Sequence, residues 1–195
     1  MQGSRILTGK LAPWRSLGSI LLFAVALHAQ IADFSAEKLT FTVNAKYVEM
    51  TGSYFFSNRT GQTVRLPIIY PFCVNALQAF PDSVSVCLAD GRPLTFQRRA
   101  ENVLFSVPLN EKSRTEVVIF FRQAVKQPQF EYILTSTRSW QKPLESADFT
   151  IQVPLSQALT NLSFPYERID TIGNFQVYRL HFENFYPEKN LIFSW

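Results

Sequence analysis

Short runs in which apolar and polar residues alternate recur along the chain, and they constrain its fold more than any other feature. Leu39, Phe41 and Val43 alternate with threonines, residues 149–153 repeat the pattern, and residues 175–185 form its longest case. Alternation with a period of two indicates half-buried strands. About a dozen such runs, separated by polar turns, therefore predict an all-β protein. We expect an antiparallel β-sandwich over residues 34–195, which can divide into two packed halves.

The stretch 52–73 has the pattern of a β-hairpin. Two aromatic runs flank the polar segment 58–61 (NRTG), which is typical of a turn between strands. Pro67 lies inside the second run and cannot donate to a ladder, so this strand is expected at a sheet edge or with a bulge. Asn58 and Asn161 each begin a glycosylation acceptor pattern, and the sequence does not identify a host that would use it.

Residues 116–122 (EVVIFFR) lose the alternation because five consecutive residues are apolar. A strand of this kind is covered on both faces, so the segment is predicted to be a central strand between two layers. The polar segment 123–129 (QAVKQPQ) follows it and is the best candidate for an internal boundary.

Residues 1–29 have the pattern of a secretory signal peptide. Arg5, Lys10 and Arg15 form a positive region, and residues 17–29 (LGSILLFAVALHA) are an apolar run that is short for a spanning helix. Cleavage is predicted after Ala29. The mature chain is then exported to the periplasm, the extracellular space or the cell envelope, with no integral membrane segment. An uncleaved amphipathic anchor and a mitochondrial presequence are the alternatives.

The formal net charge of +4 comes largely from this leader. Without its three basic residues, Lys+Arg falls from 19 to 16 against 15 Asp+Glu, which leaves a net charge of +1. A nearly neutral body lacks the basic footprint of a nucleic-acid-binding protein, and that class of partner is rejected.

Cys73 and Cys87 are the two cysteines of the chain. In an oxidising compartment an even pair is by default a disulfide, which would stabilise the fold by about 3 kcal/mol. A redox pair and two buried free thiols are the alternatives. The close CxxC spacing that a redox pair usually has is absent.

The sequence predicts no catalytic, cofactor-binding or metal-ligating residues. His181 is the one histidine after residue 29, so a histidine-rich zinc site is excluded within one chain. A Ser-His-Asp triad would have to use His181, which the alternation places on a polar strand face. Glu131, Glu145 and Asp148 are candidate carboxylates for a hydrolase, but their spacing does not distinguish them from surface acids.

The aromatic pairs suggest a surface for another protein. Phe55 and Phe56 are neighbours, as are Phe120 and Phe121, so one ring of each pair points away from the sandwich core. The outward ring meets either an internal layer from residues 127–195 or a partner. Phe193 and Trp195, in the terminal alternating run, complete the candidate interaction surface.

Three segments carry a resemblance to known families. The segments 47–72 (YVEMTGSYFFSNRTGQTVRLPIIYPF), 132–154 (YILTSTRSWQKPLESADFTIQVP) and 184–195 (NFYPEKNLIFSW) resemble exported bacterial β-sandwich proteins of unknown function. The first is also similar to the opening hairpin of the inter-alpha-trypsin-type vault domain. The resemblance implies an exported all-β protein, and it implies no catalytic or binding residues.

Three functional hypotheses follow. The first is an exported, non-enzymatic binding or envelope-associated module, which meets a protein partner through an aromatic patch or an exposed sheet edge at Pro67 or at residues 190–195. The second is a carboxylate-based hydrolase with a groove between the two halves. The third is a small outer-membrane β-barrel, suggested by the alternating aromatic C-terminus.

Overall fold

The computed structural model describes residues 32–195, and the predicted signal peptide lies outside this range. The all-β prediction is confirmed. No helix within the described residues has the length and apolar character that crossing a membrane requires. The strands are β1 (Ala32–Val43), β2 (Tyr47–Asn58), β3 (Val64–Pro71), β4 (Ser83–Leu88), β5 (Phe96–Arg98), β6 (Asn102–Leu109), β7 (Arg114–Ala124), β8 (Gln129–Tyr132), β9 (Leu144–Pro154), β10 (Asn161–Leu162), β11 (Arg168–Ile172), β12 (Phe175–Phe185) and β13 (Leu191–Ser194), and a short 3-10 helix spans Thr135–Trp140.

The strands form one large and two small sheets. The large sheet has the order β11-β12-β9-β1-β2-β7-β4, and the small sheets have the orders β3-β6-β5 and β10-β13-β8. All neighbours run antiparallel except β1 and β9, which pair in parallel over residues 36–42 and 146–152.

The two small sheets cover the same face of the large sheet, which makes the fold a two-layer sandwich. Phe41, on the inward face of β1, lies 6.0 Å from Phe130 and 5.6 Å from Phe193, ring centroid to ring centroid. On the other side, the ring of Phe72, just after β3, lies 5.2 Å from that of Phe121 in β7. One continuous hydrophobic core therefore joins the three sheets.

The predicted hairpin at 52–73 is wrong. β2 pairs with β1 and β7, whereas β3 pairs with β6 in a different sheet. The polar segment between them carries the chain from one layer to the other. Buried Asn58 fastens this crossing: its Nδ2 donates to the carbonyls of Gln62, Leu109 and Asn110 at 2.8, 3.3 and 2.8 Å. The hydrogen bonds of the Asn58 side chain thus hold this segment in place, where a hairpin would have a backbone ladder.

The predicted edge at Pro67 is confirmed, because β3 is the outer strand of its sheet. The main-chain N–H of Phe72 donates to the carbonyl of Glu101 in register with the β3–β6 ladder, so even-numbered residues of β3 bond to β6. Odd-numbered residues then face the open edge. Pro67 and Pro71 are both odd and lack an N–H, which blunts this edge against strand addition.

The central position of β7 is confirmed, but the prediction that both its faces are covered is wrong in part. Val117, Ile119 and Phe121 are fully buried, whereas Val118 and Phe120 on the other face are half-buried. β7 lies between β2 and β4 inside the large sheet, and the two small sheets cover only one side of it. The candidate boundary at 123–129 lies at the connection from β7 to β8.

The terminal strand is not the predicted edge. β13 lies between β10 and β8, and Phe193 pairs with Leu162 on one side and Phe130 on the other. The two edges of this sheet are β10 and β8.

The predicted disulfide is absent: Cys73 and Cys87 are both free thiols. Gln123, on the inward face of β7, donates from Nε2 to the carbonyl of Cys73 at 2.7 Å. Cys87 alternates with buried Val86 and Leu88, so its side chain points to the opposite face of the large sheet. The sheet therefore separates the two sulfur atoms.

The candidate aromatic surface is smaller than predicted. Phe56, Phe121 and Phe193 are buried in the core. Phe55, Phe120 and Trp195 are half-buried, and the guanidinium of Arg114 lies 4.6 Å from the ring centre of Phe55. That these three rings contact a partner stays a prediction.

Candidate ligand-binding site

A large cavity lies where the three sheets meet. It has a volume of about 950 Å³, and most of its walls are apolar side chains of β2, β3, β5 and β6 together with the 3-10 helix. Glu37 and Arg65 are the two charged residues among the described residues that line it. A concave, mainly apolar cavity of this size with few polar groups is typical of small-molecule sites.

Three tyrosine hydroxyls meet on one side of this cavity. Tyr54 comes from the large sheet, Tyr70 from the β3-β6-β5 sheet and Tyr132 from the β10-β13-β8 sheet. The hydroxyl oxygen of Tyr54 lies 2.7 Å from those of Tyr70 and Tyr132, and the latter two lie 2.9 Å apart. We call these residues the tyrosine triad. It links all three sheets through polar atoms inside an apolar core.

Gly52 makes room for the triad. A Cβ atom at Gly52 would lie 2.7 Å from both the ring and the hydroxyl of Tyr54 and 2.8 Å from Cδ2 of Leu39. Residues 52 and 54 share one face of β2, so the absent side chain lets the Tyr54 ring fold back over position 52. The position of the triad thus depends on one missing methyl group.

A β-bulge brings Glu37 to the same cavity. The β1–β2 register shifts between Phe34, which pairs with Phe56, and Ala36, which pairs with Phe55. Without this shift, residues 34 and 37 would point to opposite faces, whereas with it both point inward. Glu37 then pairs with Tyr54 across the ladder. Bulges commonly redirect a side chain in this way beside functional sites.

The carboxyl group of Glu37 is buried without compensation. The residue is 2% exposed, and its Oε1 has no hydrogen-bond partner among the described residues. Burial disfavours the charged form and raises the pKa of Glu37 from 4.5 to about 8. The group is therefore mostly protonated at neutral pH. A strongly shifted acid that lines a cavity is a candidate for a functional role.

The tyrosine triad stays neutral as well. Burial, followed by the charges of neighbouring groups that include Glu37, raises the pKa of Tyr54 and that of Tyr132 well above the ordinary value. Burial likewise raises the pKa of Tyr70. Because three mutually bonded phenols each have one proton, the ring can close with each hydroxyl donating once and accepting once. One acceptor lone pair then remains on each oxygen.

An aromatic wall borders the carboxyl group. The ring centres of Phe34 and Phe56 are 5.3 Å apart, and that of Trp140, at the end of the 3-10 helix, lies 5.9 and 5.8 Å from them. The ring of Tyr54 lies 6.1 Å from that of Phe34. These four rings line the cavity.

The residues considered for catalysis lie elsewhere. His181 is exposed on β12, and its Nδ1 lies 2.7 Å from Oδ1 of Asp148 on the outer face of the large sheet. This hydrogen bond raises the pKa of His181. Glu131 accepts a 2.7 Å hydrogen bond from Asn190, and Glu145 is exposed. None of these four residues lines the cavity. Glu37 is the single acid among the described residues that line it, so no catalytic carboxylate pair is assembled there.

Glu37 and the tyrosine triad are not predictable from the local sequence pattern. Glu37 precedes the alternating run that begins at Leu39, and only the register shift turns it inward. Tyr54, Tyr70 and Tyr132 are each ordinary inward residues of a strand. One signal was available: Gly52 interrupts a strand, which often marks the close approach of another group.

The fold is shared with solved structures of other proteins. A protein from Legionella pneumophila, described as a candidate nutrient binding protein, superposes with a TM-score of 0.65 at 12% identity and covers 83% of this chain. An M1 zinc metallopeptidase from Deinococcus radiodurans superposes with a TM-score of 0.54 at 11% identity. A variant of this enzyme bound to a Tyr-Ser-Ala substrate superposes with a TM-score of 0.52 at 12% identity. Each of the two structures covers 85% of this chain.

These likenesses define the class of fold and nothing finer. The chain spans 66% of the Legionella protein and 42% to 43% of the metallopeptidase chains. No protein-family model and no curated protein matches the sequence. Among the described residues, no group of three or more His, Cys, Asp or Glu side chains is placed to hold a metal ion.

Proposed function

We propose that this protein is an exported, non-enzymatic binding module that takes a small, largely apolar molecule into the cavity between its three sheets. The observation that carries the proposal is the cavity itself: about 950 Å³ in volume, apolar on most of its surface, with the Glu37 carboxyl and the tyrosine triad on one side. Apolar walls supply affinity, and a few convergent polar groups fix orientation.

Two further points support binding rather than chemistry. The walls come from three sheets that share one core, so the site is preformed and a ligand meets little ordering cost. The nutrient-binding description of the Legionella protein fits the same function, but a shared fold does not identify the ligand.

Export and a protein partner are parts of the proposal that rest on other residues. The pattern of residues 1–29 supports export. The half-buried rings of Phe55, Phe120 and Trp195 are the residues that support contact with another protein. Fractionation of cells, with N-terminal sequencing of the mature chain, tests the first; co-purification with and without Phe120→Ser tests the second.

Ligand binding is tested with an uncharged fluorophore, N-phenyl-naphthylamine, whose emission rises in apolar surroundings. We expect saturable binding to the full chain. Ile68→Trp, which fills the cavity from β3, should weaken binding, because Ile68 lines the cavity. Ile172→Trp is the matched control, since Ile172 is 53% exposed and does not line it.

Circular dichroism and thermal unfolding of both variants establish that the fold is kept. Equal binding by Ile68→Trp and Ile172→Trp, or no saturable binding by the unsubstituted chain, would contradict the proposed site.

A further inference from the structure

We propose that the ligand of the cavity is a small organic amine, with a protonated amino group against Glu37 and the tyrosine triad and an apolar tail along the remaining walls. This inference rests on the proposed binding function and adds the chemical class of the ligand. Three features of the described residues carry it: the acceptors around Glu37, the unpartnered carboxyl oxygen and the aromatic wall.

The polar side of the cavity is rich in acceptors. With the triad closed on itself, the hydroxyls of Tyr54, Tyr70 and Tyr132 use their protons on one another and keep acceptor lone pairs. Oε1 of Glu37 adds an acceptor without a partner. An ammonium group has three donors and no acceptor, so it complements this set once Glu37 is ionised, whereas a carboxylate ligand could accept only from the single proton of neutral Glu37.

The carboxyl group also supplies the counter-charge. An unpaired charge is costly to bury, but a buried charge with a partner and hydrogen bonds is tolerated. Glu37 is 2% exposed and is one of the residues that line the cavity, so a cation bound there lies close to its carboxyl group. Its own protonation in the absence of ligand follows from the lack of such a partner.

The aromatic wall favours a cation for a separate reason. Phe34, Phe56 and Trp140 lie within 6 Å of one another, ring centre to ring centre, and all line the cavity. The electron-rich faces of such rings attract ammonium groups, most of all where water is excluded. An alcohol of the same shape gains nothing from this attraction.

The groups that face Glu37 do not supply an internal cation. Tyr54 lies opposite it on β2 and Ala147 on β9, while Tyr70 and Tyr132 approach from β3 and β8. Arg65, the second charged residue of the cavity, is exposed and lies on the open edge of β3, and Glu37 has no hydrogen bond or salt bridge to it. The counter-charge of Glu37 is therefore left for the ligand.

Binding of an amine must release a proton. When the pH is below the Glu37 pKa of about 8, the free protein holds Glu37 protonated, whereas the complex with a cation needs it ionised. An alkylamine, whose pKa resembles that of lysine, stays charged throughout this range. The dissociation constant of the amine should fall about tenfold for each pH unit between about pH 6 and pH 8 and then level off.

The test is calorimetric titration of the full chain with octylamine, octanol and octanoate, which share one tail. We expect octylamine to bind about tenfold or more tightly than octanol at pH 8, and octanoate to bind weakest. Glu37→Gln should sharply reduce the preference for octylamine and leave octanol affinity within about twofold. Glu145→Gln is the matched control, since Glu145 is exposed on β9 and lies outside the cavity.

Proton release on amine binding is measured on the unsubstituted chain, by titration in buffers of different ionisation enthalpy. This second measurement does not depend on whether Glu37→Gln folds. Equal affinity for octylamine and octanol, or amine binding without proton release, overturns the amine assignment and leaves the binding function standing. Failure of all three probes and of the uncharged fluorophore overturns the binding function itself.

Discussion

The hydroxyl of Tyr54 lies 2.7 Å from that of Tyr132, although these residues are 78 positions apart and belong to different sheets. With Tyr70 they form the polar junction of three sheets. Tyr54→Phe and Tyr132→Phe should each lower the free energy of unfolding by about 1–2 kcal/mol, because each leaves two buried hydroxyls short of a partner. Urea denaturation measures this.

Tyr166→Phe is the control for this series, since Tyr166 is 47% exposed, and it should change stability by less than about 0.5 kcal/mol. The Tyr54→Phe/Tyr132→Phe double variant should cost less than the sum of the single variants. Strict additivity would show that the hydroxyls do not act together.

Gly52→Ala should destabilise the protein by about 1–3 kcal/mol and weaken fluorophore binding. The added Cβ would lie 2.7 Å from the Tyr54 ring, which the triad holds in place, and 2.8 Å from buried Leu39. Gly61→Ala is the matched control because nothing lies within 4 Å of a Cβ at Gly61. A neutral Gly52→Ala would mean that the Tyr54 ring can move without cost.

Stability should fall as pH rises from about 5 to 8 through the titration of Glu37. The pKa of this group is about 8 in the folded protein and near 4.5 when exposed. Between these values the folded state holds a proton that the unfolded state has lost, so the free energy of unfolding drops by about 1.4 kcal/mol per pH unit. The stabilisation is complete below pH 4.5 and is lost above the folded pKa.

Glu37→Gln isolates this contribution. The difference in unfolding free energy between the unsubstituted chain and Glu37→Gln should shift by several kcal/mol, on the order of 5 at most, across this window. Glu145→Gln should show no such trend. Parallel pH profiles for Glu37→Gln and the unsubstituted chain would rule out a buried, protonated Glu37.

Asn58→Ala should lower the free energy of unfolding by about 2–3 kcal/mol, because it leaves the carbonyls of Leu109 and Asn110 without their donor. Asn161→Ala, at an exposed residue of the other acceptor pattern, should be nearly neutral. Since Nδ2 of Asn58 is fully used in the fold, mass spectrometry of protein from a glycosylating host should find no glycan there.

Thiol titration in denaturant should find two reactive groups per chain, since Cys73 and Cys87 are unpaired. In the native state Cys73 should react slowly near neutral pH, because burial and then Glu131 raise the pKa of its thiol to about 11. Joint replacement of both cysteines by serine should not cost the ~3 kcal/mol that a disulfide would supply. Recovery of a bridged peptide between the two positions would contradict this arrangement.

The alternating runs were enough to predict strands, since period two depends only on neighbouring residues. Tyr178, Leu180 and the exposed Arg179 and His181 of β12 fall on the faces that the sequence predicts. The partner of a strand was not predictable in the same way. The local pattern of residues 52–73 predicts a hairpin. In the structure β2 pairs with β7 and β3 pairs with β6, so the two strands belong to different sheets, and the Asn58 side chain holds the connection between them.

The site was beyond sequence reasoning for a related reason. Glu37 faces inward because of a one-residue shift between Phe34 and Ala36, and such a shift leaves no mark in composition or periodicity. The triad needs three separate sheets in place before its hydroxyls meet. Long-range geometry, rather than any local motif, creates the cavity.

The parallel pairing of β1 with β9 has a consequence for how the chain folds. β1 lies at the middle of the large sheet, and its neighbours on one side, β2, β7 and β4, precede residue 125, whereas those on the other, β9, β12 and β11, begin at residue 144. Each side can form from contacts of its own, but within the large sheet they join through the pairing of residues 36–42 with residues 146–152. Leu39 and Phe149, at the middle of this pairing, are 110 positions apart. Such non-local pairings slow folding. The chain cannot complete its central ladder until the ribosome has made about three quarters of it, so the nascent chain stays incompletely folded for most of its synthesis.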